Sequence, residues 1–340
     1  MNKQKVVVFQ GGPVSSDLTF EELARRWEAG LSGLPEVADW EIFPASHLSP
    51  EQYWQKIGDC NAALGVWITG GLMKEEFLRQ HPQLQYLSTL SHGFGEFDIS
   101  MTRQYGLTVT NTFYGGQTIA QYAIALLLDI CHNISAHASY TRDGYWKEKA
   151  VNPRAPFLKT FSSQIELYGK TFGVIGLGHI GFCAAKMAAG LGMKVIAYSR
   201  HPKVGPEYDF IRQVSLDELL AESDVISLHC PYSSENDRMI NRESISKMKQ
   251  GVILINTARG GLIDEDDLYQ ALMDRKIYMA GLDVLREEPP KEKIPLLNCP
   301  YAIVTAHIAW LPKESRLRAV DLAIENYAAW LHGHPQSVIN

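Results

Sequence analysis

One run of the chain restricts its fold more than any other. "KTFGVIGLG" (170–178) leads into a helix-period stretch over 179–191, and "KVIAYSR" (194–200) follows. A short buried run, a glycine-rich turn, a helix and a second apolar run at this distance predict a strand–helix–strand unit of a parallel sheet. Within it, "GVIGLGHIG" contains Gly176-x-Gly178-x-x-Gly181. Each glycine has a separate physical reason: Gly176 permits the tight turn, Gly178 lets backbone approach a pyrophosphate, and Gly181 lets helix and strand pack closely. The helix start offers free N–H groups and the positive end of a dipole to phosphates. A glycine turn of purely structural purpose is the competing reading, and the flanking strands and helix favour dinucleotide binding.

The second strand of the unit ends Tyr198-Ser199-Arg200, where a dinucleotide site usually carries an acid for the adenosine ribose. Serine removes the charge that would repel a 2′-phosphate. Arg200 supplies a planar guanidinium suited to phosphate oxygens, and Lys203 adds a second positive charge. An ordinary basic surface turn remains the alternative. The expectation is a site that prefers NADP(H) and can also accept NAD(H).

The same alternation of elements runs along the rest of the chain. Strand-like segments are "KVVVFQ" (5–10), "DWEIFPA" (39–45), "ALGVWITG" (63–70), "LQYLSTLS" (84–91) and "LTVTNT" (107–112), with helical segments near 17–29, 50–57 and 73–80. One long helix is predicted over 118–140, because Ile119, Tyr122, Ala123, Leu126, Leu127 and Ile130 recur at helical spacing. It serves either as a core-facing helix or as a linker that also forms a subunit interface. After a proline-bearing stretch (147–168), strands are expected in "DVISLHC", "GVILINTA", "YMAGLDV" and "AIVTAH", and a last helix at about 313–332. The fold class is therefore α/β, with two doubly wound Rossmann-like domains and a catalytic cleft between them. The expected division is 1–113 with 312–340, flavodoxin-like, and 114–311, the dinucleotide-binding Rossmann domain.

Charge and cysteine content narrow the function classes. A net charge of −6, with basic residues scattered, gives no reason to expect nucleic acid or an anionic membrane as partner. Five cysteines, odd in number and without Cys-x-x-Cys, argue against a disulfide framework or a metal site. The N-terminus runs into a strand without a signal-peptide core, and the most apolar helix is interrupted by Gln121 and Asp129, short of the roughly 18 apolar residues of a span. A cytoplasmic protein is expected.

Three further segments carry the chemistry. "INTARGGLIDEDDLYQAL" (255–272) places Arg259 just past a strand, "GLDVLREEPP" (281–290) places Glu288 in a turn, and "VTAHIAW" (304–310) places His307 at the end of the last strand. All lie beyond carboxyl ends of expected strands, where open α/β sheets hold ligands. Read singly, Arg259 is as well a helix-start salt bridge, Glu288 a solvated turn acid and His307 a satisfied core histidine.

Together with "SHGFGEFDIS", "LTVTNT", the glycine unit, "SLHCPYSSENDRMIN" and "NTARGGLIDE", these segments resemble the D-isomer-specific 2-hydroxyacid dehydrogenases over nearly the whole chain. The likeness is strongest to glycerate dehydrogenases, also called hydroxypyruvate reductases. It implies an NAD(P)-dependent enzyme that reduces a small 2-keto acid, hydroxypyruvate or glyoxylate first, to the D-2-hydroxy acid. His307 would be the general acid, Glu288 its partner that keeps a proton available, and Arg259 the binder of the substrate carboxylate. Backbone N–H groups of Ser91-His92-Gly93 would help to hold that carboxylate. His179 and Ile180 would lie at the cofactor phosphates, and Ser199 and Arg200 at the ribose. Cys230 and Pro231 would line the pocket, with Thr257, Ala258 and Asp283 near the nicotinamide. The likeness also implies a homodimer joined through coenzyme domains. The chain departs from the family pattern at Ala306, where a proline usually precedes the histidine, at Trp310, where small residues are common, and at the large His92; the last two bear on pocket shape, and a bulkier 2-keto acid stays open. A formate dehydrogenase would carry glutamine at the position of Glu288. A dinucleotide-sensing scaffold, as in the corepressor branch, is the alternative from outside the enzymes.

Overall fold

A computed structural model describes residues 3–11, 17–45, 48–68, 71–91, 93, 99–145 and 162–340. The chain forms two compact units, Met1–Gly115 with Leu311–Asn340, and Gly116–Trp310. Each is a parallel sheet between helices.

In the first unit, β1 (Gln4–Gln10), β2 (Val37–Pro44), β3 (Ala62–Leu64), β4 (Tyr86–Ser88) and β5 (Thr108–Thr110) pair in the order β2-β1-β3-β4-β5, all parallel. "KVVVFQ" shows why this strand must be central. Val6 and Val8 enter one core with Trp27, Leu31 and Tyr86, while Val7 and Phe9 enter another with Trp54 and Ile57. A strand covered on both faces has no polar alternation to keep, so it reads as a continuous apolar run. The helix Lys313–Leu331 completes the first of these cores with Val320, Ala323, Tyr327 and Leu331. Helix Phe20–Ser32 begins at a capping box in which the Thr19 hydroxyl accepts from Glu22 N–H and the Glu22 carboxylate accepts from Thr19 N–H.

The second unit holds β6 (Thr171–Ile175), β7 (Lys194–Tyr198), β8 (Ile211–Gln213), β9 (Val225–Leu228), β10 (Val252–Asn256), β11 (Ile277–Leu282) and β12 (Ala302–Val304). Their order is β12-β11-β10-β9-β6-β7-β8, again all parallel. The chain starts in the middle at β6, builds outward through β7 and β8, then returns to β9 and builds the other way. This is the doubly wound Rossmann order with one further strand, and the reversal lies between β6 and β9.

Two expectations need correction. The helix foreseen over 118–140 is two helices, Gly116–His132 and Ile134–Tyr140. Asn133 between them has φ 51°, the left-handed conformation that asparagine tolerates and that ends a helix. The apolar stripe of the first helix is used inside this unit: Ala123, Leu127 and Ile130 are buried among β6, β7 and β10 side chains. The edge strand β8 was not foreseen, because "IRQ" has a single apolar residue to mark it. Among the described residues no single helix is long and apolar enough to cross a membrane.

Candidate active site

The glycine turn stands at the carboxyl end of β6, beside the reversal point. Gly176 has φ 100°, and a Cβ there would lie 2.5 Å from the Cys230 nitrogen, so this turn and the end of β9 touch backbone to backbone. A Cβ on Gly181 would lie 2.0 Å from the Gly176 carbonyl oxygen. Gly178 differs from both: nothing stands within 4 Å of a Cβ placed there. Helix His179–Gly190 begins at Gly178 without a side-chain cap, His179 exposed and Ile180 partly buried. Nearby strand ends carry polar atoms that the protein does not satisfy. Thr257 Oγ1, after β10, and His229 Nδ1, after β9, are buried with no hydrogen-bond partner. Open space over Gly178, a helix start without a side-chain cap and orphaned donors and acceptors suit a dinucleotide.

The surrounding loops are held by side chains at some distance in sequence. Asn236 donates to the Pro231 carbonyl at 2.8 Å, next to Cys230, whose thiol burial pushes up to about 11. Ser199 is partly buried and Arg200 exposed at the end of β7. The Gln213 amide ties both the N–H and the carbonyl of Lys203, at 2.7 Å each, to the edge strand.

At the other end of the row of strand termini, the imidazole Nδ1 of His307 and Glu288 Oε2 are 2.7 Å apart. The second oxygen, Glu288 Oε1, accepts from Leu285 N–H at 2.8 Å, so the carboxylate cannot turn without losing a backbone bond. Burial pushes the Glu288 carboxyl up, but the bonds from His307 and Leu285 and the charge of Arg259 outweigh this and hold it below the usual range. Arg259 follows β10 in an extended conformation and donates to the Ala258 carbonyl at 2.7 Å. Behind it, a Cβ on Gly260 would lie 1.9 Å from the Leu285 carbonyl carbon, so the Arg259 loop is pressed against the segment that carries Glu288.

Asp283, buried at the end of β11, turns its carboxylate to the His307 loop. It accepts from the Thr305 hydroxyl (2.7 Å), Ile308 N–H (2.9 Å) and Ala309 N–H (2.8 Å). His307 N–H donates to the Asp283 carbonyl, and the Trp310 indole N–H to the His307 carbonyl, both at 2.8 Å. In the first unit, Ser91 follows β4 and bonds the Thr89 hydroxyl; Gly93 is partly buried, and His92 lies outside the described residues.

A family model for the NAD binding domain of D-isomer specific 2-hydroxyacid dehydrogenases matches residues 124–309, more than half of the chain. The chain belongs to this family. This dehydrogenase is thus an oxidoreductase, and its relatives agree. It is 39% identical over 310 residues to a hydroxypyruvate reductase of Blautia hydrogenotrophica, covering 91% of this chain and 94% of the relative. It is 35% identical over 294 residues to a glycerate dehydrogenase of Methylorubrum extorquens, covering 86% and 89%. Among solved structures, an acyclic imino acid reductase in complex with NADPH and D-Arg superposes with a TM-score of 0.79 at 27% identity, covering 98% of this chain and 100% of that one.

Some residues that shape the site of this dehydrogenase escaped the sequence reading. Asn256, wholly buried at the end of β10, accepts from Ala258 N–H and donates to the Arg259 carbonyl, both at 2.9 Å, and so shapes the loop that carries Arg259. Its signal was present: an asparagine closing the apolar strand "VILIN" needs a reason to be there. Asn236 and Thr305 carried no comparable signal.

Proposed function

We propose that this dehydrogenase reduces a small 2-keto acid, hydroxypyruvate or glyoxylate first, to the D-2-hydroxy acid, with NADPH preferred and NADH accepted. The observation that carries the reading is the His307–Glu288 pair at 2.7 Å, in one row of strand ends with the Arg259 loop. With Nδ1 given to Glu288, the other ring nitrogen of His307 is left to hold a proton for substrate. That Nε2 proton passes to the carbonyl oxygen as the carbon receives hydride, and the imidazole is left neutral. A nicotinamide held in this site would supply the hydride. Glu288, held by the Leu285 N–H, fixes the orientation of the ring through Nδ1. The Arg259 fork suits the two oxygens of a carboxylate and draws electron density from the neighbouring carbonyl. Gly178 and the start of helix His179–Gly190 would receive the pyrophosphate, Thr257, Ala258 and Asp283 would stand near the nicotinamide, and Cys230 and Pro231 would line its pocket. Ser199, Arg200 and Lys203 support the NADPH preference, since no acid follows β7 to repel a 2′-phosphate. The hydroxypyruvate reductase and glycerate dehydrogenase relatives support the choice of substrate.

The test is kcat/KM with NADPH and with NADH, hydroxypyruvate being the common acceptor. A higher value with NADPH is expected, and turnover that favours NADH would overturn the cofactor preference. His307→Gln should lower kcat by about 10²- to 10⁴-fold while cofactor affinity stays near wild type. Near-normal turnover in that variant removes His307 as the acid.

A further inference from the structure

We propose that Glu235 tunes the cofactor preference of this dehydrogenase by acting as the counter-ion of Arg200. The inference rests on the reading of Ser199 and Arg200 as the place of the ribose phosphate. Arg200 Nη1 and Glu235 Oε2 are 2.8 Å apart. Arg200 follows β7, and Glu235 lies in the short turn Ser234–Asn236 after β9. Because β7 and β9 flank β6, the two residues meet across the end of the strand that carries the glycine turn. The acid missing after β7 is therefore replaced by one brought from the neighbouring loop.

The pair is not there for stability. The two side chains are 56% and 74% exposed, and an ion pair in that setting adds little to folding. The backbone under Glu235 is nonetheless fixed, since Asn236 Oδ1 accepts from Ser233 N–H at 2.7 Å and Asn236 Nδ2 donates to the Pro231 carbonyl at 2.8 Å. A carboxylate on a fixed turn, with a movable side chain, holds one face of the guanidinium and leaves its remaining N–H groups for another acceptor.

The two cofactors meet this pair differently. A 2′-phosphate must take Arg200 from Glu235 or share it, and in either case lies near a second negative charge. A ribose hydroxyl carries no charge, incurs no such repulsion, and can donate to the carboxylate. Arg200 and Lys203 thus draw the site toward NADPH, and Glu235 returns part of the balance to NADH. The sequence alone shows only the first half of this, because Glu235 is 35 residues away from Arg200.

The experiment measures dissociation constants of NADPH and NADH, by calorimetry on the full chain, for wild type, Glu235→Gln, Arg200→Ala and the double variant, with melting curves to confirm folding. Glu235→Gln is expected to tighten NADPH by about 5- to 10-fold and to leave NADH within about 2-fold. In the Arg200→Ala background the same substitution should have a clearly smaller effect, since only direct repulsion of the 2′-phosphate is then relieved. Three results overturn the proposal: an unchanged NADPH constant in Glu235→Gln, a tightening of equal size without Arg200, or no NADPH binding in either background. Arg200→Ala alone tests the underlying reading. If it leaves NADPH affinity unchanged while NADH binds normally, the phosphate is held elsewhere and that assignment fails separately.

Discussion

His307 has φ 54°, a left-handed backbone that a side chain with a Cβ adopts at a cost of about 1 kcal/mol or more. The hydrogen bonds around it explain how the chain keeps it there. Asp283 takes the N–H groups of Ile308 and Ala309, and Trp310 caps the His307 carbonyl. No proline is needed before the histidine when its loop is tied at this many points; Ala306 suffices. A second histidine shows the opposite environment. Burial pushes His229 down to about 4, and its Nε2 lies 2.8 Å from the Ser227 hydroxyl. The unfolded chain titrates near the ordinary value of about 6.5, so it takes up the proton first. Stability is therefore full above about pH 6.5 and is lost as pH falls toward 4, by up to about 3 kcal/mol. The slope of melting temperature against pH over that range should be shallower in His229→Gln than in wild type; equal slopes would assign the acid sensitivity to other groups. At this scale the sequence reveals residue types with chemistry, such as His307, Glu288 and Arg259, because each stands in a motif. It hides the partners. Asp283, read as a nicotinamide neighbour, spends its carboxylate on a loop some 25 residues ahead. Glu235 and Asn236 look like ordinary turn residues until β9 and β7 are set beside β6.

The strand–glycine–helix element was the most legible part of the chain, since its glycines answer to local sterics and need no distant partner. Two of its glycines should nevertheless fail in different ways. Gly181→Ala places a carbon 2.0 Å from a backbone oxygen, which has no room to yield, and should cost several kcal/mol, about 2–4. Gly178→Ala meets open space and should change stability by no more than about 1 kcal/mol. It should still weaken cofactor binding by at least about 10-fold, because its methyl group occupies the approach to the helix start. Chemical denaturation paired with cofactor titration separates the two effects, and a Gly178→Ala protein that binds cofactor normally would mean the pyrophosphate lies elsewhere. Other elements were read less well for identifiable reasons. "ALGVWITG" supplies only two strand residues, Ala63 and Leu64, because the run's apolar content continues past the strand at Val66 and Ile68. The long helical period crosses Asn133 without a visible break, since hydrophobic spacing does not record a single left-handed residue.

At the scale of the whole molecule, the first unit is built from two segments that are far apart in the chain. Tyr327, fully buried, packs on Tyr86 with ring centroids 5.0 Å apart, and the Asn340 side chain bonds Val109 N–H and the Thr102 hydroxyl. Removing residues 311–340 should withdraw four buried side chains from that core, about 5–10 kcal/mol of apolar burial. The first unit is then expected to unfold while the second keeps its protection. Hydrogen exchange read peptide by peptide would detect this, and undiminished protection of β1 and β4 would show that the unit folds without its last helix. Tyr327→Ala is the milder form, expected to cost about 3–5 kcal/mol. The order in which a ribosome delivers these pieces gives the arrangement a further consequence. Strands β1 to β5 leave the exit tunnel with only helix Phe20–Ser32 covering one side of their sheet, and 195 residues, Gly116–Trp310, must be translated before the second helix of that side exists. At about 5–20 residues per second this leaves the nascent sheet half-clothed for roughly 10–40 s. A cell making this enzyme has to shield that surface until Leu311–Asn340 arrives.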